Sequence, residues 1–252
     1  MMPKVFVNCP TIDIKEYCLK DYAAGVKALT YPNITLLLGD NSKNEAYFYK
    51  LKEVGLDAIR TPWSETARKR IVDARNILRE KFLELDCEYF FSLEQDVIPL
   101  PDVIELLMRH GKDIVSGIYL NPYKTPQGIV SSPVLWRFVS DAEFEHAKKE
   151  KSFLDFITKE NIQSADQLQM KYSKREIAGS QLLKVKAAGL GCILIHRRVL
   201  EKIMFRYEPD KIAFDDVFFC KDARDAGFEI YADTDATCGH AIKPDQWDVV
   251  KK

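Results

Sequence analysis

Short apolar runs alternate along this chain with stretches whose apolar residues recur every three or four positions. The runs at 4–9, 34–38, 57–60, 88–93, 113–120, 183–187, 192–196 and 228–232 read as strands. The early ones are apolar on both faces, as in a sheet covered on both sides. Between them the periodicity predicts helices over 14–29, 43–54, 64–85 and 216–226, and a further helix opened by Pro99 and Pro101 and closed by Gly111. In the 64–85 helix, Ala67, Ile71, Ala74, Leu78, Phe82 and Leu85 form one apolar stripe, with Arg75 and Asn76 off it. The β-α-β-α order through residue 120 predicts an α/β fold with a mostly parallel sheet flanked by helices on both faces. Residues 121–182 interrupt that order with a loop-like start and a charged stretch. They read as an insertion with one or two surface helices, so that 1–252 form a single domain.

Such sheets bind ligands beyond the carboxyl ends of their strands. Strand 88–93 ends in Glu94-Gln95-Asp96, and packing gives an apolar strand no reason to finish that way. Residues two apart in extended backbone face the same side. The two carboxylates either share a divalent cation, since Mg²⁺ and Mn²⁺ take oxygen ligands, or mark a turn in which Asp96 caps the next helix. The loops 8–11, with Pro10 and Thr11, and 39–42, with Asp40, lie at equivalent strand ends. Asp215-Asp216 opens the helix before Gly227. One aspartate suffices as a helix-start charge, worth about 0.5–2 kcal/mol. The second needs another role, as a base or beside a metal. His240 follows the last strand through a glycine, as a ligand or as a structural residue. Arg75 belongs either to a solvated helix face or to a phosphate or base near the strand ends.

Charge and cysteine content narrow the partners. Lys and Arg total 37 against 38 Asp and Glu, so no excess directs the chain to nucleic acid or an anionic membrane. No apolar run approaches the ~20 residues of a membrane-spanning helix, and residues 1–4 do not open a signal peptide. The six cysteines form no C-x-x-C pair, which predicts reduced thiols and a cytoplasmic location.

In their order along the chain these motifs resemble the nucleotide-sugar-dependent glycosyltransferases of the GT-A fold, family 2 and its relatives, over most of the chain apart from 121–182. Residues 8–11 resemble the first nucleotide-binding loop. The segment 38–42 resembles the strand end whose Asp40 would contact the nucleobase. Ala74-Arg75-Asn76 resembles the helix motif before the metal strand, and Glu94-Gln95-Asp96 stands where the family has D-x-D. Residues 185–196, with Gly189 and Gly191, resemble the acceptor-side segment. Asp215-Asp216 stands in place of the Glu-Asp pair, and His240 in place of the late metal-binding histidine. Glu for the first Asp of D-x-D, and Asp for Glu in the pair, are the two departures.

The resemblance implies a Mn²⁺ or Mg²⁺ ion on Asp96, Glu94 and His240, with histidine tilting the choice toward Mn²⁺. It implies a nucleoside-diphosphate sugar near Pro10, Thr11, Asp40, Arg75, Gln95 and Lys243, and Asp216 as general base toward an acceptor hydroxyl. The acceptor would be a glycan, a lipid-linked sugar or a protein, and transfer would be inverting. The Gln-x-x-Arg-Trp motif and membrane helices of the processive members are missing, which implies non-processive transfer. The runners-up are a nucleotidyltransferase, whose Gly-rich basic loop after the first strand is not found at 8–13, and a non-catalytic glycan- or nucleotide-binding module.

Overall fold

The computed structural model describes residues 2–125, 128–211 and 213–243. In chain order the elements are β1 (Val5–Thr11), a 3₁₀ segment (Asp13–Cys18), α1 (Leu19–Lys27), β2 (Ile34–Asp40), α2 (Ala46–Glu53), β3 (Ala58–Arg60), α3 (Ala67–Glu84), β4 (Tyr89–Leu93), β5 (Val97–Ile98), α4 (Val103–Met108) and β6 (Ile114–Ile118). There follow β7 (Leu120–Thr125), β8 (Gly128–Pro133), β9 (Leu135–Arg137), α5 (Asp141–Ala147), α6 (Lys151–Lys159), β10 (Met170–Lys171), β11 (Leu182–Val185), β12 (Ala187–Ala188), β13 (Cys192–His196), α7 (Arg197–Leu200), α8 (Asp215–Asp225), β14 (Ile230–Thr237) and β15 (Gly239–His240).

The central sheet has eight strands in the order β11-β14-β6-β13-β4-β1-β2-β3. They are the eight strands that the apolar runs predict. Six run one way, and only β11 and β13 oppose them. Alternation within the strands builds two cores. Val5, Val7, Cys9, Phe91, Leu93 and Leu194 face α1, α2 and α4. Phe6, Phe90, Ile193 and Ile195 face α3, α7 and α8. Each fully buried aromatic or aliphatic side chain contributes about 1.5–3 kcal/mol on this basis, so helices on both faces stabilise the sheet. All six cysteines are buried free thiols. Among the described residues no helix is long and apolar enough to cross a membrane.

Two features position the site. The carboxyl ends of β1, β2, β3 and β4 all reach one edge, in register from Thr11 through Asp40 to Arg60. At that same edge β14 slips register between Ala232 and Thr237. The chain then leaves the sheet as β15, which pairs antiparallel with β5 so that His240 lies opposite Val97. Ala241 N–H donates to the Asp96 carbonyl at 2.7 Å. A two-residue ladder thus carries His240 to Asp96, 144 positions earlier in sequence and just beyond the end of β4.

The stretch from 121 is not a loop. β7 and β8 form a hairpin, and β10, β9 and β12 form a small separate sheet. β7 and β8 carry mixed polar sequence and β9, β10 and β12 have only two or three residues, without the apolar runs that mark the central sheet. α5, opened by a capping box between Ser140 and Glu143, and α6 are the two expected helices. Phe144, Ile157, Ala165 and Leu168 bury one another in a third, minor core.

Candidate active site

At the end of β4 the backbone turns sharply, with Glu94 N–H donating to the Gly191 carbonyl and Val97 N–H to the Glu94 carbonyl, both at 2.9 Å. The turn sends the two acidic side chains to different partners. Asp96 is nearly buried. Its Oδ2 accepts from the Lys15 ammonium and lies 3.5 Å from His240 Nε2. Its Oδ1 is buried with no hydrogen-bond partner among the described residues. Burial works to raise the Asp96 carboxyl, but hydrogen bonding to His240 and the charges of Lys15 and His240 hold it down at about 2. Burial also works against charge on Lys15, yet Asp96 keeps that ammonium well above its ordinary value.

His240 Nδ1 lies 2.9 Å from the Leu120 carbonyl, which can only accept, so Nδ1 carries a hydrogen. Nε2 therefore faces Asp96. Protonated, it pairs with the carboxylate; deprotonated, it offers a lone pair to a cation. A second-sphere carbonyl that fixes the ring in this way is the usual companion of a ligating histidine. Tyr119 props the imidazole edge-on, with centroids 5.1 Å apart, and accepts from Gly191 N–H at 3.1 Å. The ring lies so close that a Cβ at Gly189 or Gly191 would fall 2.1 or 2.7 Å from its hydroxyl oxygen. Glycine is required at both positions by this approach.

Glu94 takes the other direction, toward Arg75. That guanidinium is 1% exposed and is gripped by three groups: Glu94 Oε1 at 2.5 Å, Ser92 Oγ at 2.8 Å and Asp215 Oδ2 at 2.5 Å. Arg75 therefore lies on the buried face of α3, not beside it. Ile71, Arg75, Leu78 and Phe82 also follow helical spacing, and the three acceptors make burial of the charge tolerable. Asn76 closes a pair of hydrogen bonds with the Phe205 backbone at 2.9 and 3.0 Å, tying α3 to the segment before α8.

Two clefts open on this edge and share Ile71, Glu94 and Asp96. The first, about 160 Å³, is lined by Pro10, Thr11, Ile14, Lys15, Asn41 and Arg70. The second, about 270 Å³, is lined by Tyr119, Asn121, Leu190, Phe214, Asp215, Asp216 and His240. Asp215 is spent on Arg75, whereas Asp216 faces the second cleft with Oδ1 accepting Val217 N–H at 2.8 Å. Burial, reinforced by the charge of Asp215, pushes the Asp216 carboxyl up to about 7.

The remaining predicted residues fall around the first cleft in different ways. Pro10 and Thr11 line it, and Thr11 Oγ1 hydrogen-bonds Gln95 Oε1. Gln95 also accepts from the Tyr47 hydroxyl at 2.7 Å and donates to the Lys15 carbonyl at 2.7 Å, so its amide braces the loop. Asp40 is fully buried, satisfied by Ser42 N–H at 2.9 Å, the Ser42 hydroxyl at 2.5 Å and Arg60 Nη1 at 2.5 Å. Its neighbour Asn41 is the residue that reaches the cleft. Lys243 lines neither cleft; its ammonium lies 4.8 Å above the Tyr17 ring. Tyr123 and Trp136, two aromatics of the inserted region, are both engaged by the Lys171 ammonium, at 3.5 and 5.1 Å. Lys15 and Tyr119 belong to the site without having been singled out in the sequence. Lys15 passes for a solvated helix position, and its signal was its place four residues after the β1 end.

Among the described residues no group of three or more His, Cys, Asp or Glu side chains converges on one cation position. The donor set present is Asp96 with His240, and an oxygen–nitrogen pair of this kind suits Mn²⁺ completed by substrate oxygens. The Asp96 carboxylate, whose Oδ1 has no partner among the described residues and whose Oδ2 faces His240 Nε2, fits such an ion.

No family model matches the chain, and no curated protein matches it in sequence. Its fold, however, matches solved structures. The mannosyltransferase PcManGT from Pyrobaculum calidifontis, solved with GDP-Man and Mn²⁺, aligns with a TM-score of 0.57 at 14% identity, over 99% of this chain and 60% of that one. GalNAc-T7, solved with UDP, GalNAc and Mn²⁺, aligns with a TM-score of 0.64 at 14% identity, over 98% of this chain and 45% of that one. The fold is that of GT-A glycosyltransferases. The chain spans about half the length of these two structures.

Proposed function

We propose that this chain is one GT-A domain, with an acceptor-side insertion at about 121–182, that transfers a sugar from a nucleoside-diphosphate sugar to an acceptor hydroxyl with a divalent cation. The observation that carries the reading is the junction of two chemically different clefts at Glu94 and Asp96. The two neighbours bound to nucleotides and Mn²⁺ support it.

In this reading the first cleft takes the nucleoside diphosphate against Lys15 and Arg70, and the second takes the sugar and the acceptor hydroxyl. Asp96 and His240 would hold the cation, with Glu94 one step away behind Arg75. When bound, the cation supplies Lewis-acid stabilisation of the departing diphosphate. Asp216 Oδ2 receives the acceptor proton. A carboxyl held near 7 is a far better base than one at its ordinary ~3.9. Because Arg75 occupies both Asp215 and Glu94, Asp216 is the carboxylate free to act on the acceptor side. With Asp96 assigned to the cation, Asp216 is the one acid–base carboxylate among the described residues of that cleft, which favours single displacement, hence inversion, by analogy with glycosidases.

A thermal-shift panel of UDP, GDP, ADP, CDP and dTDP with and without Mn²⁺ tests the proposal. One nucleotide at ~100 times its Kd adds about 2.7 kcal/mol, only with metal, and Asp96→Ala loses that gain. A panel with no metal-dependent stabilisation would sink the reading.

A further inference from the structure

We infer that Lys15 holds the place of the divalent cation, so that the metal binds Asp96 only when a diphosphate draws the Lys15 ammonium away. The inference rests on the donor reading above and concerns how the two ligands enter.

The Lys15 ammonium sits on Asp96 Oδ2, the oxygen that also faces His240 Nε2 at 3.5 Å. An ion on these two donors would occupy the position of the ammonium, and two cations on one carboxylate oxygen repel. The backbone around Lys15 is fixed. Asp13 N–H donates to Ser42 Oγ at 2.9 Å, and the Lys15 carbonyl accepts from Gln95 at 2.7 Å. Only the side chain is left to move, and it has somewhere to go. It is 30% exposed where Asp96 is 9%, and it lines the first cleft alongside Arg70. Phosphate oxygens in that cleft would take the ammonium as a point charge, and Asp96 would be freed in the same step. Without phosphate, expelling Lys15 breaks a charge-assisted bond with no replacement. Metal and nucleotide then assist each other equally, as linkage requires.

The experiment is a Mn²⁺ titration, followed by the EPR signal of the free ion, on wild type, Lys15→Met and Lys15→Arg. Each is titrated with Mn²⁺ alone, then with the nucleotide chosen by the panel above. Lys15→Met should bind Mn²⁺ alone about tenfold more tightly than wild type. It should also lose most of the gain in Mn²⁺ affinity that nucleotide gives wild type. Lys15→Arg, which keeps the charge, should behave as wild type. A folding defect cannot raise an affinity, so the first result is specific. Equal or weaker Mn²⁺ binding by Lys15→Met overturns the inference while leaving the donor reading intact. Failure of the donor reading shows separately, as a wild type that no nucleotide stabilises with Mn²⁺.

Discussion

The two clefts share one strand end and differ in charge. The first presents Lys15 and Arg70 with backbone from two parallel strand ends. The second presents Asp216 and His240 beside the Tyr119 and Phe214 rings and the aliphatic side chains of Ile71, Val134 and Leu190. Four carboxylates meet near their boundary, and what sorts them is buried out of sight. Arg75 pairs with Glu94 and Asp215, leaving Asp96 to Lys15 and His240 where the clefts meet, and Asp216 to the second cleft. Division of labour here comes from which acids are paired, since the acids themselves are alike.

That contrast can be broken from either side. Asp216→Asn should have the largest effect, lowering transfer roughly a hundred- to ten-thousandfold while the Mn²⁺-dependent nucleotide shift persists. Steady-state assays beside the thermal-shift panel check this, and normal transfer would remove Asp216 as the base. Arg75→Met removes the sorting charge and strands Asp215 and Glu94. It should cost about 3–5 kcal/mol of unfolding free energy, read from denaturant melts, and a loss under about 1 kcal/mol would show that the acids do not depend on Arg75.

The smallest effect is in pH. A carboxyl raised to about 7 must ionise to act, so turnover should climb with pH and be half-maximal near 7. For stability the sign runs the other way. The folded value exceeds the unfolded one, so ionised Asp216 costs stability that is lost progressively from about pH 4 to 7. Under chelator, Asp216→Asn should melt above wild type at pH 8 and level with it at pH 4. Equal melting at both would mean that the carboxyl is not strained by its surroundings.

The central sheet was legible because its strands are apolar on alternate or both faces, a pattern that survives without knowledge of neighbours. The strands of 121–182 were not, because β7 mixes Asn, Pro and Lys with its apolar residues and β9 and β10 have only three and two residues. Acidic positions could be found from strand ends and helix starts. Their partners could not. Arg75 read as a solvated-face residue or a phosphate contact and not as a buried ion-pair hub, since its three acceptors come from β4, the turn after it and α8. Asp40 stood at the expected strand end, but its pairing with Arg60 emerged only in the fold, leaving Asn41 to face the cleft. Lys15 escaped notice for the same reason: a lysine in a helical stretch reads as solvated until Asp96 is brought across 81 residues to meet it.

The six buried thiols have a practical use. A maleimide added to the folded protein will find no native sulfur at the surface, so the chain needs no cysteine removal before labelling. Ile14 is 61% exposed on the wall of the first cleft, next to Lys15. Ile14→Cys would therefore accept a fluorophore one residue from the ammonium, and its emission would report in real time when that side chain leaves Asp96.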